Sequence, residues 1–209
     1  MIWAIKNNNR IKATPKEIAF CPICHEEVIA KCGSIKIWHW SHKSLKDCDN
    51  WAEPESEWHI NWKNQFPKEQ QEIVITKGGD VKRADNFNLL IKSHRADIKT
   101  MKGLIIELQN SQLSSDKIIE REMFYQNMIW ILNGEKLCKG LELRFKKGII
   151  TFRWKNPPKS WWVAKKPIYI DLVKDELIFS IKKLYPNIPC GGWGIILTKE
   201  QFLKEYGNK

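Results

Sequence analysis

His94-Arg95-Ala96-Asp97-Ile98-Lys99-Thr100-Met101-Lys102-Gly103-Leu104-Ile105-Ile106-Glu107-Leu108-Gln109 is the stretch that decides the fold. His94–Lys99 reads as a strand, Thr100-Met101-Lys102-Gly103 as its turn, and Leu104–Gln109 as the next strand. Leu104–Gln109 is apolar almost without a break, which suggests burial on both faces. Working outward, Pro54 through Phe66 predicts a helix with Pro near its first turn, ended by Pro67. Trp58, Trp62 and Phe66 recur there at i, i+4, i+8 as a buried stripe. Glu72–Thr76 predicts a strand. Ser114 or Ser115 caps a second helix that runs to about Asn127. Met128–Leu132 is a further strand, closed by Asn133-Gly134. The order is helix, three strands, helix, strand: an α/β core over residues 53–135.

The same stretch carries the chemistry. A short turn joins its two strands, which places Asp97 near Glu107. Glu107 and Gln109 are two apart on one strand and share a face. The pattern is D-x(9)-E-x-Q. Two nearby carboxylates can hold a divalent cation, Mg2+ or Mn2+, which polarises a scissile phosphate and lowers the pKa of the attacking water. A third polar residue on that face, usually Lys, orients the water. Here it is Gln109, which can position a water but is no strong base. A charge inside a run as apolar as Leu104–Gln109 needs a partner or a metal to offset its desolvation, unless the strand is an edge with one solvated face. On the preceding helix Glu55, His59 and Lys63 form a stripe at i, i+4, i+8. Glu55 is a further metal-ligand candidate. His59 can orient it or touch phosphate, and Lys63 is a nucleic-acid contact candidate. On the following helix Arg121 and Tyr125 are placed to contact a phosphate backbone, or to form a plain salt-bridged face with Glu122. An ordinary solvated stripe is the plain alternative for the first helix.

Residues 1–52 hold short strand-like runs and a cysteine-histidine cluster. Cys21-Pro22-Ile23-Cys24 is a C-x2-C knuckle, followed by His39-Trp40-Ser41-His42 and then Cys48. Structural zinc takes four such ligands in a closed tetrahedral site. Cys21, Cys24 and His42 come first, and the fourth is His39 or Cys48, with the lean toward Cys48. His25 is expected to be a bystander, and Cys32, Cys138 and Cys190 to be buried thiols.

Charge is unevenly spread over the 209 residues, whose formal net charge is +11. The balance is +3 over residues 1–52, −2 over 53–135 and +10 over 136–209, where 16 Lys/Arg face 6 Asp/Glu. A basic lobe beside an acidic centre suits a protein that grips a polyanion against a divalent cation, although a Lys-rich solvated surface gives the same totals. Trp38, Trp40, Trp154, Trp161 and Trp162 sit beside charge and are candidates for stacking on unpaired bases, against the commoner role of core or hydrophobic cover. No apolar run reaches bilayer length and the N-terminus turns polar within six residues, so a cytoplasmic protein with no membrane partner is expected. In residues 136–209, Leu141–Phe145 and Ile149–Trp154 flank Lys146-Lys147-Gly148 as a hairpin. Pro167–Val173 predicts a strand, and Asp175–Tyr185 and Lys199–Tyr206 predict helices. This basic extension either continues the sheet or forms a separate lobe.

The order of F-C-P-I-C at 20–24, H-W-S-H-K at 39–43, E-S-E-W-H at 55–59, R-A-D at 95–97, I-E-L-Q-N-S at 106–111 and R-E-x-F-Y at 121–125 resembles the CoiA-like competence proteins. The resemblance covers roughly residues 1–135. It implies a zinc-ribbon-like β module fused to a restriction-endonuclease-like PD-(D/E)xK core, an α+β or α/β mixed sheet flanked by helices. It implies Asp97, Glu107 and Gln109 as the core site, with Glu55 and His59 from the first helix and help from Arg121 and Tyr125. The signature proline is missing, since Ala96 precedes Asp97, and Gln109 replaces the nominal Lys. The expectation is a Mg2+- or Mn2+-dependent deoxyribonuclease in DNA processing, competence or mobile-element biology, with DNA as partner and a recombination protein or a second copy as further candidates. A non-catalytic nucleic-acid-binding scaffold and an RNA-directed nuclease are the alternatives.

Overall fold

The computed structural model describes residues 1–43, 48–51, 53–77, 92–146, 149–185 and 190–207. The N-terminal sheet is built from short strands: β1 (Trp3–Lys6), β2 (Asn9–Lys12), β3 (Ile18–Phe20), β4 (Glu27–Lys31) and β5 (His39–His42). Asn7 and Asn8 both take positive φ, 49° and 60°, which lets a two-residue turn close β1 on β2. The sheet order is β2-β1-β3-β4-β5. Its core is small: Ala4, Ala19, Cys21, Val28 and Trp40 are buried together. A core of that size is marginal alone, and a metal cross-link is the usual supplement.

The remaining chain forms α1 (Glu57–Lys63), β6 (Gln71–Lys77), β7 (Lys92–Lys99), β8 (Ile105–Gln109), α2 (Ser115–Tyr125), β9 (Met128–Asn133), α3 (Gly134–Leu137), β10 (Leu141–Lys146), β11 (Ile149–Trp154), β12 (Ile168–Asp171), β13 (Leu177–Tyr185), β14 (Cys190–Thr198) and α4 (Lys199–Tyr206). It is a mixed α+β structure: one large sheet in the order β10-β11-β14-β13-β12-β9-β8-β7-β6, with few helices. The centre is parallel, β8 beside β9 and β9 beside β12; the other pairings are antiparallel. All five residues of β8 and all six of β9 are buried, in keeping with the apolar runs read from sequence.

Ser56 caps α1 by accepting from the His59 backbone N–H, so the helix begins after Pro54 and is shorter than the predicted Pro54–Phe66. Trp62 and Phe66 still bury against Ile106, Leu108 and Ile131. The indole N–H groups of Trp58 and Trp62 both donate to Asp171 Oδ2, at 2.7 Å each, which satisfies a buried carboxylate and fixes α1 over β12. Ser114 caps α2. The last third of the chain supplies β10 through β14 to the same sheet. One expectation fails there: Asp175–Tyr185 is not a helix but contains β13. Leu177, Ile181 and Leu184 recur at helical spacing, yet β13 lies between β12 and β14, and Ile178, Phe179 and Ser180 are all buried. Burial on both sides erases the period that separates strand from helix. Lys199–Tyr206 is the helix expected, closed at its start by a capping box between Thr198 and Gln201. No helix among the described residues is long and apolar enough to cross a membrane.

Candidate functional site

Two sites emerge. The first is the knuckle between β3 and β4. The Cys21 backbone N–H donates to Glu26 O at 2.9 Å, and His25, with positive φ, donates to Cys21 O at 3.0 Å. This tight turn brings Cys21 and Cys24 together. β5 carries His42 in, and the chain beyond returns with Cys48. The ligand atoms of Cys21, Cys24, His42 and Cys48 all lie within 4.8 Å of one another. Cys21 Sγ is 3.5 Å from Cys48 Sγ, and Cys24 Sγ is 3.3 Å from His42 Nε2. Tetrahedral ligands about 2.0–2.3 Å from one zinc ion are themselves separated by roughly 3.3–3.8 Å, so the cluster can hold a metal such as zinc. Its four ligands leave no coordination position open for catalysis. His39 is outside it: its Nδ1 lies 2.7 Å from Ile37 O. Cys48 is therefore the fourth ligand of the cluster. His25 stays exposed, Cys138 and Cys190 are buried as expected, and Cys32 is half-buried.

The second site lies where β7 and β8 part. Their register pairs Ile98 with Ile106 and Lys99 with Ile105, and the next step out brings Asp97 and Glu107 together. Glu107 Oε1 accepts from the Asp97 backbone N–H at 3.3 Å, and Asp97 Oδ2 accepts from the Leu108 N–H at 3.0 Å. Arg121, reaching from α2, donates to Glu107 Oε2 at 3.0 Å and to Trp51 O at 2.8 Å. Complete burial first, and the Asp97 carboxylate second, push Glu107 up to about 8 despite Arg121.

Lys63 sits in a nest of acids. Its Nζ lies 2.9 Å from Glu55, 3.0 Å from Glu72 and 3.2 Å from Asp97 Oδ1. Burial works against the ammonium, but Glu72, Glu55 and Asp97 together raise its pKa. Burial raises Glu55, while for Glu72 the charges of Lys63 and Arg95 overcome burial and hold it well below the usual carboxylate range. Gln109 is fully buried. Its Nε2 donates to Glu53 and, at 2.8 Å, to Ser111 O, while its Oε1 has no partner. His59 bridges Ser56 Oγ at 2.8 Å and Leu108 O at 3.3 Å.

Glu53, Glu55, Asp97 and Glu107, with Arg95 and Arg121, border a cavity of about 30 Å³, room for one or two waters. Beside it a cleft of about 680 Å³ shares Glu53, Glu55 and Arg95 and is faced by Lys36, His39 and His42 of the N-terminal sheet.

Asp97, Glu107, Glu55 and His59 thus line one small cavity, and Gln109 lies outside its lining, tied to it through Glu53. The three residues expected to touch nucleic acid are placed differently. Lys63 is 3% exposed and held by carboxylates, not on the surface. Arg121 is buried on Glu107, and Tyr125 is buried with its hydroxyl unpartnered. Arg121 does not pair with Glu122, which accepts instead from Trp130 Nε1 and the Lys165 and Lys166 N–H groups. Of the stacking candidates, Trp40, Trp154 and Trp161 are core residues, while Trp38 is exposed.

Sequence reading missed Glu53, Glu72, Arg95, Asp49 and Trp51. Asp49 follows a metal-ligand position. It accepts from the Arg95 N–H at 2.9 Å and the Trp51 N–H at 3.0 Å and lies 2.9 Å from His94 Nδ1. Trp51 stacks on the His94 ring with centroids 3.3 Å apart. Residues 48–51 therefore run from the cysteine cluster onto β7, and Glu53 and Glu55 border the acidic cavity. A charged residue opening an apolar strand was the available signal for Glu72; for the others the signal lies in contacts between distant elements.

Residues 4–50 match the family model described as competence protein CoiA, N-terminal domain. The chain is 28% identical over 144 residues to the competence protein CoiA of Bacillus subtilis (strain 168), an alignment that takes in 65% of this chain and 36% of that protein. It spans about a third of the length of that curated relative. No solved structure matches. The resemblance to CoiA-like competence proteins read from the motifs is supported by both matches.

Proposed function

We propose that the acidic cavity is the active site of a divalent-cation-dependent nuclease acting on DNA, in a PD-(D/E)xK-type core. The observation that carries this reading is the pairing of Asp97 with Glu107 at the point where β7 and β8 part, with Glu55 joined to Asp97 through Lys63. DNA is the substrate this reading assigns, alongside the likeness to a protein named for competence.

The residue types suit a hard cation, which would have to displace the Lys63 and Arg121 partners that Glu55, Asp97 and Glu107 hold in this structure. Four carboxylates border one water-sized cavity, and the buried Gln109 Oε1 lacks a partner, an acceptor left for a water or ion. Asp97, Glu107 and Glu55 would hold Mg2+ or Mn2+, which when bound supplies Lewis-acid polarisation of the phosphate and a more acidic water. Gln109, whose amide is fixed by Glu53 and Ser111, would offer its unpartnered Oε1 to a water. Arg121 steadies the Glu107 carboxylate. His59, locked between Ser56 and Leu108 O, is a positioning residue that fixes the strand between Glu107 and Gln109. The cleft beside the cavity admits the strand, with the metal-cluster module as its far wall.

Cleavage of labelled DNA with Mg2+ or Mn2+ tests this, comparing the wild type with Asp97→Ala and Glu107→Ala, with zinc content as the folding control. Cutting by the wild type alone supports the reading. One observation favours a second reading. The Lys63 ammonium already occupies the space between Glu55, Glu72 and Asp97, as it would in a non-catalytic nucleic-acid-binding scaffold. Salt-dependent binding by all three proteins with no cutting of DNA or RNA would establish that scaffold in place of the enzyme.

A further inference from the structure

The β10-β11-β14-β13 end of the large sheet presents a second surface, on the side where α4 packs. In β14, Cys190 and Ile196 turn toward the larger core, which sets alternate residues Gly191, Trp193 and Ile195 on the opposite face. Leu197 at the end of that row packs under α4, and Trp193 is 41% exposed. The register puts Thr151 of β11 and Lys183 of β13 on either side of Trp193, and Arg144 of β10 beyond Thr151. One row along, Arg153 and Tyr185 flank Gly191, which adds no side chain between them. Tyr185 is 52% exposed.

From this arrangement we infer that the β10-β11-β14-β13 face is a docking surface for single-stranded DNA. Trp193 and Tyr185 are diagonal neighbours about 7–8 Å apart at their Cα atoms, close enough to take successive unpaired bases. Arg153 and Lys183 supply the cations for the backbone between them, while Arg144 lies 3.5 Å from Glu142, the residue opposite Arg153. A duplex hides the faces of its bases from such a platform, so the strand is single. The occupant is a polyanion because the face lies in the third of the chain whose balance is +10. Only the choice of DNA over RNA rests on the nuclease reading.

The test measures binding of a labelled deoxythymidine oligomer by fluorescence anisotropy, without added divalent cation so that no cleavage intervenes. A duplex and a uridine oligoribonucleotide of equal length are the comparison ligands. Trp193→Ala weakens single-strand binding about 5- to 150-fold while circular dichroism and zinc content hold, and Trp193→Phe retains most of the affinity. Arg153→Ala and Lys183→Ala each reduce the slope of log affinity against log salt by about 0.7. Unchanged binding by Trp193→Ala overturns the proposal. So does a dimer that Trp193→Ala dissociates without touching DNA affinity, since the face would then belong to a second copy. Tighter binding of the RNA overturns the assignment to DNA. Failure of the nuclease leaves these binding results standing, and failure of the platform leaves the cleavage test standing.

Discussion

Glu107 is a carboxyl that folding buries beside another carboxylate, and its titration is the clearest single-residue signature of the acidic cavity. Its pKa rises from 4.5 to about 8 on folding. The folded chain therefore holds this proton more tightly than the unfolded one. That stabilisation is complete below about pH 4.5 and is lost as the pH climbs through about 8. Without added Mg2+, urea melts will show wild type losing stability relative to Glu107→Gln between about pH 5 and 8; parallel pH profiles would refute the shift. The comparison uses slope, because the substitution also alters the partner of Arg121. Lys63 makes the opposite kind of prediction. Lys63→Met leaves Glu55, Glu72 and Asp97 without their shared cation and costs about 3–5 kcal/mol, read as a fall in the urea midpoint. At the cysteine cluster the distinction is between neighbours in sequence. Cys48→Ala lowers bound zinc well below one per chain, while His39→Ala leaves it at one, because His39 is bonded to Ile37 O instead.

At the scale of elements, Asp49, Trp51 and Glu53 form a link between the two sites, beside the hydrogen bonds from the Ile2 and Trp3 N–H groups to Glu72. Asp49 pins the Arg95 N–H, Trp51 stacks on His94 and accepts from Arg121, and Glu53 holds Gln109. Stripping the metal frees one end of that link. Hydrogen exchange at the Arg95 amide should then rise at least tenfold, and Asp49→Ala should reproduce the rise with zinc still bound. An Arg95 amide as protected after chelation as before would show the two sites to be independent. None of this link was legible in sequence, because it is made of contacts between residues 45 to 70 positions apart in the chain. What sequence did reveal follows from local arithmetic. A short turn between two strands brings Asp97 near Glu107, and alternation puts Gln109 on the same face as Glu107. A C-x2-C turn needs only its own few residues. β13 was misread for the converse reason: once both faces of a strand are buried, composition no longer alternates. Trp193 was passed over as a stacking residue since its cations, Arg153 and Lys183, are neighbours only across strands.

For the whole molecule the question is whether the acidic core stands without the basic third. The resemblance by motif ends near residue 135, yet β12 lies directly beside β9 in the sheet, in parallel register from Ile168–Trp130 to Asp171–Asn133. The larger core mixes Trp130 and Leu132 with Trp154, Trp161, Ile168, Ile170 and Phe179. Asp171 also receives the two indole donors of α1, which carries Lys63 into the acidic cavity. Burying those last five side chains contributes about 1.5–3 kcal/mol each, which together rivals the 5–15 kcal/mol that keeps a domain folded. A chain cut after residue 135 would also leave β9, apolar at five of its six positions, as an open parallel edge, and such an edge invites aggregation. Residues 1–135 alone should thus show no cooperative thermal transition and should bind a hydrophobic dye, while the cysteine cluster, closed within the first 48 residues, still takes up zinc. A cooperative melt of that fragment would mean that β10 through β14 are an attachment to a self-sufficient core. Its absence would make the basic sheet and the acidic cavity one folding unit, so that the surface proposed to receive the strand and the site proposed to cut it are held in fixed relation by the strands between them.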